Sequence, residues 1–358
     1  MANLHADHVG SLLRPPELLE ARAGFRAGRV SADQLHAVED AAILNALDLQ
    51  KQAGVEIFTD GEYRRATFLD PLSTGIEGFI DVPDVSGGVA WRGPNASIAT
   101  ETMDVTGLNR VVGAKLRRVG RQTDTAFLKQ HSPGPWKMTV PGPTMRLNYM
   151  YRPGISDKAY ATEAELRSEM VGFIQAEVKD LVADGVSYFQ LDSLSYVGLA
   201  NAPHDALDAI IAADNAIIDV AKAGGVTVGL HMCRGNNRSA WISEGNYEHL
   251  EHAFNALHAD RFLLEYDSER AGGFEPLRFM PRDKTVVLGI ISSKLPALEP
   301  VDTLRRRIDE AAKYVPLENL AISPQCGFAS SAPGNLLTWD DMRRKLELVT
   351  ETARLVWG

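Results

Sequence analysis

Val226-Thr227-Val228-Gly229-Leu230-His231-Met232-Cys233 decides the fold: an apolar, β-branched run that stops at an imidazole and a thiol. A run of this length and composition reads as a short buried strand. Seven comparable runs lie along the chain, at residues 8–9, 55–59, 137–140, 187–191, 261–264, 285–291 and 320–322. Between them, residues 162–183, 206–223, 247–257, 301–314 and 339–356 carry apolar stripes at helical spacing. Strands that alternate with helices imply a parallel sheet, and eight such units predict an α/β fold closed as a (β/α)8 TIM barrel, with an open doubly wound sheet as the competing arrangement. Residues 83–130 break the rhythm and read as a hairpin and helix inserted after the second strand. Within that insertion the run 96–105 reads as extended, since Ala99, Met103 and Val105 would share one strand face. The expected organisation is one barrel domain over residues 1–358.

The chain has 358 residues, 45% of them hydrophobic and 23% charged, which are values of a folded globular protein rather than a disordered one. Its formal net charge of −10 and the lack of a basic run exclude nucleic acid as an expected partner. His5, Asp7 and His8 stand where a signal peptide would need an apolar segment, and no run is long enough to cross a membrane, so a cytoplasmic protein is expected. Cysteine occurs only twice, at Cys233 and Cys326, and a reducing compartment leaves both thiols free for metal or chemistry.

In a barrel, the loops that follow the strands share one face. The eight runs deliver to that face Ser11, Asp60 with Glu62, Pro141, Asp192, His231 with Cys233, Glu265, Ser292 and Cys326. His231 and Cys233 are two apart, so an extended chain aims both side chains the same way. Taken alone, such a pair reads first as buried packing, and its company changes that reading. Glu265 ends an otherwise apolar strand, where a bare carboxylate is unfavourable without a cation or a salt bridge. Cys326 lies in a turn-rich exit from the last strand, Ser323-Pro324-Gln325-Cys326-Gly327. Two thiolates, an imidazole and a carboxylate fit zinc better than magnesium or calcium, which take oxygen ligands. Four ligands scattered over about a hundred residues exclude a zinc finger and point to a site that the finished fold assembles.

These residues, together with His8-Val9-Gly10-Ser11, Asp60-Gly61-Glu62, Val140-Pro141-Gly142-Pro143-Thr144, Gln190-Leu191-Asp192, Leu264-Glu265 and Gln325-Cys326-Gly327, resemble the catalytic half of cobalamin-independent methionine synthase over nearly the whole chain. The resemblance implies that His231, Cys233, Glu265 and Cys326 hold a catalytic zinc ion. It also implies that Ser11, Glu62 and Asp192 hold the amino and carboxyl ends of homocysteine. Two departures stand out. The family has a histidine acid after its seventh strand, where this chain has Ser292; and the family's Asp-Glu-Pro after the fourth strand reads Asp192-Ser193-Leu194. The phrases around Cys233 and Cys326 look most like the short members of the superfamily, which include homocysteine methyltransferase-like proteins and the epoxyalkane:coenzyme M transferases.

The leading expectation is therefore a zinc-dependent methyltransferase that alkylates a small-molecule thiol, with homocysteine giving methionine in the manner of 5-methyltetrahydropteroyltriglutamate–homocysteine methyltransferases. Its donor is a folate or a methylcorrinoid carried by another protein. The alternative is opening of an epoxide by a zinc-bound thiolate such as coenzyme M, and a third reading is an amino-acid sensor without turnover. The sequence assigns no general acid, and Arg234 and Asn236 read either as contacts to a substrate anion or as loop hydrogen bonds. Trp136, Tyr149, Tyr151, Tyr196 and Trp241 read as packing rather than as a flat cofactor site.

Overall fold

A computed structural model describes residues 4–82, 89–102, 110–145, 147–198 and 204–358. Eight strands occur among them: β1 (Ile76–Asp81), β2 (Arg110–Arg118), β3 (Lys137–Pro141), β4 (Tyr188–Ser193), β5 (Thr227–Met232), β6 (Arg261–Glu265), β7 (Thr285–Ile291) and β8 (Leu320–Pro324). β3 to β8 form one six-stranded sheet in sequence order, and every pairing in it is parallel. The α/β architecture of the barrel type is thus present, with helices between its strands. The long helices Glu163–Asp184, His204–Ala223 and Trp339–Trp357 fall where the apolar stripes place them. The first of these starts on a Thr162 hydroxyl that accepts the Glu165 N–H, and it stops at Gly185 with φ 89°.

Two of the eight expected strands make no ladder. The segment around His5 to Asp7 joins β8 by a single parallel bridge from Ala6 to Ile322, and Phe58 joins the start of β3 by a bridge to Trp136. These two segments meet through side-chain bonds, with the Thr59 hydroxyl donating to Gly10 O at 2.8 Å and a His8 ring nitrogen donating to Ile57 O at 2.9 Å, and through one main-chain bond from Leu12 N–H to Gly61 O at 3.1 Å. Contacts therefore run all the way round the ring, but the six ladder strands carry most of its backbone hydrogen bonds. The inserted part holds a hairpin, with β1 antiparallel to β2. Its helix is Ala96–Glu101, so the run expected to be extended is helical over those residues, while Met103 and Val105 lie outside the described residues.

Strand periodicity separates two layers. Outward-facing Met138, Val140, Phe189, Leu191, Val228, Leu230, Phe262, Leu264, Val286 and Leu288 pack into the main core with the helices. Inside the ring, Val9, Leu263, Val287 and Ala321 form a separate small cluster, which fills the barrel as a packed layer. Below it Lys137 is buried, with Nζ donating to Asp7 Oδ1 at 2.8 Å and to Gln190 Oε1 at 2.9 Å. Above it the strand ends are polar. No helix among the described residues is long and apolar enough to cross a membrane.

Candidate functional site

The inward positions at the ends of β5 and β6, and the turns after β5 and β8, bring four side chains together. The donor atoms of His231, Cys233, Glu265 and Cys326 all lie within 4.8 Å of one another, and all four residues are buried. The two sulfurs stand 3.6 Å apart. That distance excludes a disulfide, which needs about 2 Å. It suits two sulfurs on one tetrahedral zinc, for which ligand bonds of about 2.3 Å place them roughly 3.8 Å apart. The His231 ring nitrogen Nδ1 donates to Leu263 O at 3.3 Å, and Nε2 is buried with no hydrogen-bond partner. With Nδ1 engaged by a main-chain carbonyl, Nε2 is the ring nitrogen left available to a metal ion, as in a metal-binding imidazole. The residues present therefore fit a metal ion.

Glu265 is held differently from the other three. Its Oε1 accepts the Arg234 backbone N–H at 2.5 Å, and Oε2 pairs with Arg270 at 3.1 Å. Burial raises the Glu265 carboxyl above its usual range, and the charges of Lys294 and Arg270 oppose that rise. At His231 burial opposes the cation, but the neighbouring Cys326 sulfur, Asp192 and Glu265 outweigh it and lift the imidazolium to about 9. The Cys326 thiol is lowered by the hydrogen bond from Cys233, against burial, with help from His231 and Lys294. The cluster thus favours an anionic sulfur beside a positive charge.

A cavity of about 700 Å³ opens over this cluster, lined by His231, Cys233 and Cys326 and also by Ser11, Glu62 and Asp192. The three residues expected to bind substrate and three of the four cluster residues therefore share one chamber, with Glu265 set behind it. Glu62 has φ +61°, a conformation that non-glycine residues adopt at a cost and which is found at functional sites. Its N–H donates to Asp60 Oδ1 at 2.8 Å, Oε1 accepts from the Thr139 hydroxyl at 2.6 Å, and Oε2 is buried without a partner. Asp192 Oδ1 accepts from Gln190 at 2.7 Å, and burial, aided by Glu62, pushes the carboxyl up to about 7 although His231 pulls it down. Ser11 lies so close to Gly327 that a Cβ there would stand 1.9 Å from its hydroxyl oxygen.

Other expectations fare unevenly. Ser292 turns its hydroxyl to Asp267 at 3.3 Å and does not line the cavity. Arg234 is buried and stacks over the Tyr247 ring at 4.3 Å, so its guanidinium is directed away from the chamber, whereas Asn236 lines the chamber with its amide bonded to Gly327 O at 2.7 Å. Of the five aromatic residues read as packing, Tyr149 alone lines the chamber. Sequence reading missed its apolar wall of Phe68, Trp91, Met145, Leu194, Ile210 and Ile242. A usable signal for part of it lay in Phe68-Leu69, a short apolar pair that follows the Asp60-Gly61-Glu62 turn.

A family model described as the catalytic domain of cobalamin-independent synthase matches residues 5–354. The chain is 35% identical to YxjH of Bacillus subtilis, an uncharacterized protein, over 99% of this chain and 95% of that one. It is 23% identical to a methionine synthase of Sulfolobus acidocaldarius, over 89% of this chain and 84% of that protein. Among solved structures, a Listeria monocytogenes protein described as a candidate vitamin-B12 independent methionine synthase superposes with a TM-score of 0.72 at 26% identity, covering 100% of this chain and 99% of the other. With its model matched almost from end to end, this chain belongs to the cobalamin-independent methionine synthase family, whose catalytic domain it carries.

Proposed function

We propose that the chain is a methyltransferase that methylates the thiol of homocysteine at a zinc ion held by His231, Cys233, Glu265 and Cys326. The observation that carries this reading is the convergence of four buried donor atoms within 4.8 Å at the floor of a chamber that also holds Ser11, Glu62 and Asp192. Relatives named methionine synthase support it. When bound, zinc would bring the substrate thiol to its thiolate at neutral pH.

The chain's own residues supply the rest. The unpartnered Glu62 Oε2 and the Asp192 carboxylate offer two acceptors to an ammonium group, and the Ser11 hydroxyl offers a donor to a carboxylate. Gln190, itself held by Lys137, fixes the Asp192 carboxylate. Arg270 and the Arg234 amide hold the Glu265 carboxylate in place, one on each oxygen. The apolar wall excludes water from the reacting thiol and takes the methyl donor, a folate or a methylcorrinoid. In this reading residues 1–358 act as one barrel unit.

A second reading, ring opening of an epoxide by a bound thiol, is favoured by one observation: Ser292 is turned to Asp267, so the loop after β7 sends no acid from that position into the chamber. Elemental analysis followed by assays with homocysteine and several methyl donors separates the two. Zinc at one ion per chain with methionine formed supports methylation, and zinc without methionine supports the second reading. Cys326→Ala is expected to lose both metal and turnover, and full retention of both would sink the zinc assignment.

A further inference from the structure

The loop after β7 contributes no ligand to the cluster, yet it ties the two cysteine-bearing turns together. On one side the Ser293 N–H donates to Gln325 Oε1 at 2.5 Å and its hydroxyl donates to Gly327 O at 3.0 Å, so Ser293 holds the residues on either side of Cys326. On the other side Lys294 reaches the turn after β5, where Nζ donates to Asn236 Oδ1 at 2.6 Å and to Gly235 O at 3.3 Å. Asn236 closes the connection by donating through Nδ2 to Gly327 O at 2.7 Å, and Asn335 adds a second donor to Asn236 Oδ1 at 2.9 Å.

Lys294 is only 4% exposed, and both acceptors of its ammonium group are neutral. A buried cation against a carbonyl and an amide is a costly arrangement unless anionic groups stand nearby and the geometry is used. Both conditions hold here. The turn that Lys294 grips points its own amides at the cluster: Arg234 N–H donates to Glu265 Oε1 at 2.5 Å and Gly235 N–H donates to Cys233 Sγ at 3.3 Å. Moving Gly235 and Asn236 would shift two of the four donor groups and break the link to the third at Gly327.

We propose that Lys294 is a positioning residue of the metal centre, clamping the Cys233 turn to the Cys326 turn at the separation that one ion bridges. The inference rests on reading the four groups as metal ligands. Outer contacts of this kind typically change metal affinity 10- to 100-fold when removed.

The test compares wild type, Lys294→Met, Lys294→Gln and Lys294→Arg for zinc affinity by competition with a chromophoric chelator. The absorption of each cobalt(II)-loaded protein reports its sulfur ligation, and melting curves of the metal-free proteins report folding. Lys294→Met is expected to bind zinc about 10- to 100-fold more weakly and to alter the cobalt spectrum, with Lys294→Arg restoring much of both. Lys294→Gln, which keeps an N–H donor, is expected to fall between them, and it carries the test if the Met variant does not fold. Wild-type affinity and spectrum in a folded Lys294→Met or Lys294→Gln protein would overturn the clamp alone. Failure of the wild type to bind either ion would overturn both the clamp and the metal reading beneath it.

Discussion

Asp214 shows how one buried residue sets a pH dependence away from the His231, Cys233, Glu265 and Cys326 cluster. Its Oδ2 accepts the Tyr196 hydroxyl at 2.7 Å, Oδ1 is buried without a partner, and burial raises the carboxyl to about 7 against the opposing Tyr196 hydrogen bond. The folded chain therefore keeps this proton through a window, from the ordinary value of 3.8 up to about 7, in which the unfolded chain has lost it. The protonated group's contribution is full below the unfolded value and is lost as pH rises through the folded one, at roughly 1.4 kcal/mol per pH unit. Asp214→Asn should accordingly melt higher than wild type at pH 8 by several degrees and equal to it near pH 4. Thermal melts at the two pH values check this, and a gain at pH 4 that matches the gain at pH 8 would contradict it.

At the scale of elements, the site depends on how closely two turns approach. Gly327 lets the turn after β8 pass beside Ser11, and a methyl group there would meet the hydroxyl at 1.9 Å. Gly327→Ala is expected to displace Ser11, destabilise the chain by about 1–3 kcal/mol and raise the KM for the amino-acid thiol. Adding Ser11→Ala should recover the stability without recovering the KM, which melting curves and steady-state assays will show.

Legibility in the sequence follows the same scale. β3 to β8 were readable because strands buried on both faces are continuous apolar runs, and the runs of β4, β5 and β8 lead into Asp192, into His231 with Cys233, and into Cys326, which line the chamber. The segments at residues 8–9 and 55–59 are shorter or more polar, with His8 in one and Glu56 and Thr59 in the other, and whether they pair as ladders or as single bridges is decided by the rest of the ring, which local composition does not encode. The run at 96–101 failed for the opposite reason: alternation over a few residues fits a strand, yet the main-chain bonds of a helix formed instead. The cluster was readable because cysteine is rare in this chain. Lys294 was not, since a lysine in a loop reads as solvated until its burial is seen.

For the whole molecule, the four cluster residues come from β5, the turn after it, β6 and the turn after β8, so only the assembled sheet can present them together. Binding to the folded state alone stabilises it by about 4 kcal/mol when free metal exceeds its dissociation constant a thousandfold. Chelation should lower the melting temperature by several degrees. It should also leave two thiols open to a thiol reagent, where the loaded protein shows none. An unchanged melting temperature with both thiols already reactive would argue against a shared ion.

The ring's two halves are not built alike. Cluster residues are anchored on or next to ladder strands, whereas Ser11 and Glu62 follow the two segments fastened by single bridges, a few side-chain bonds and isolated main-chain bonds such as Leu12 N–H to Gly61 O. An amino acid seated between Ser11 and Glu62 would rivet this seam shut from above, so occupancy would be written into the seam's backbone as slower hydrogen exchange at residues 5–12 and 57–63, with the ladder strands unchanged. Equal protection everywhere, or none at the seam, would mean that the ligand sits elsewhere.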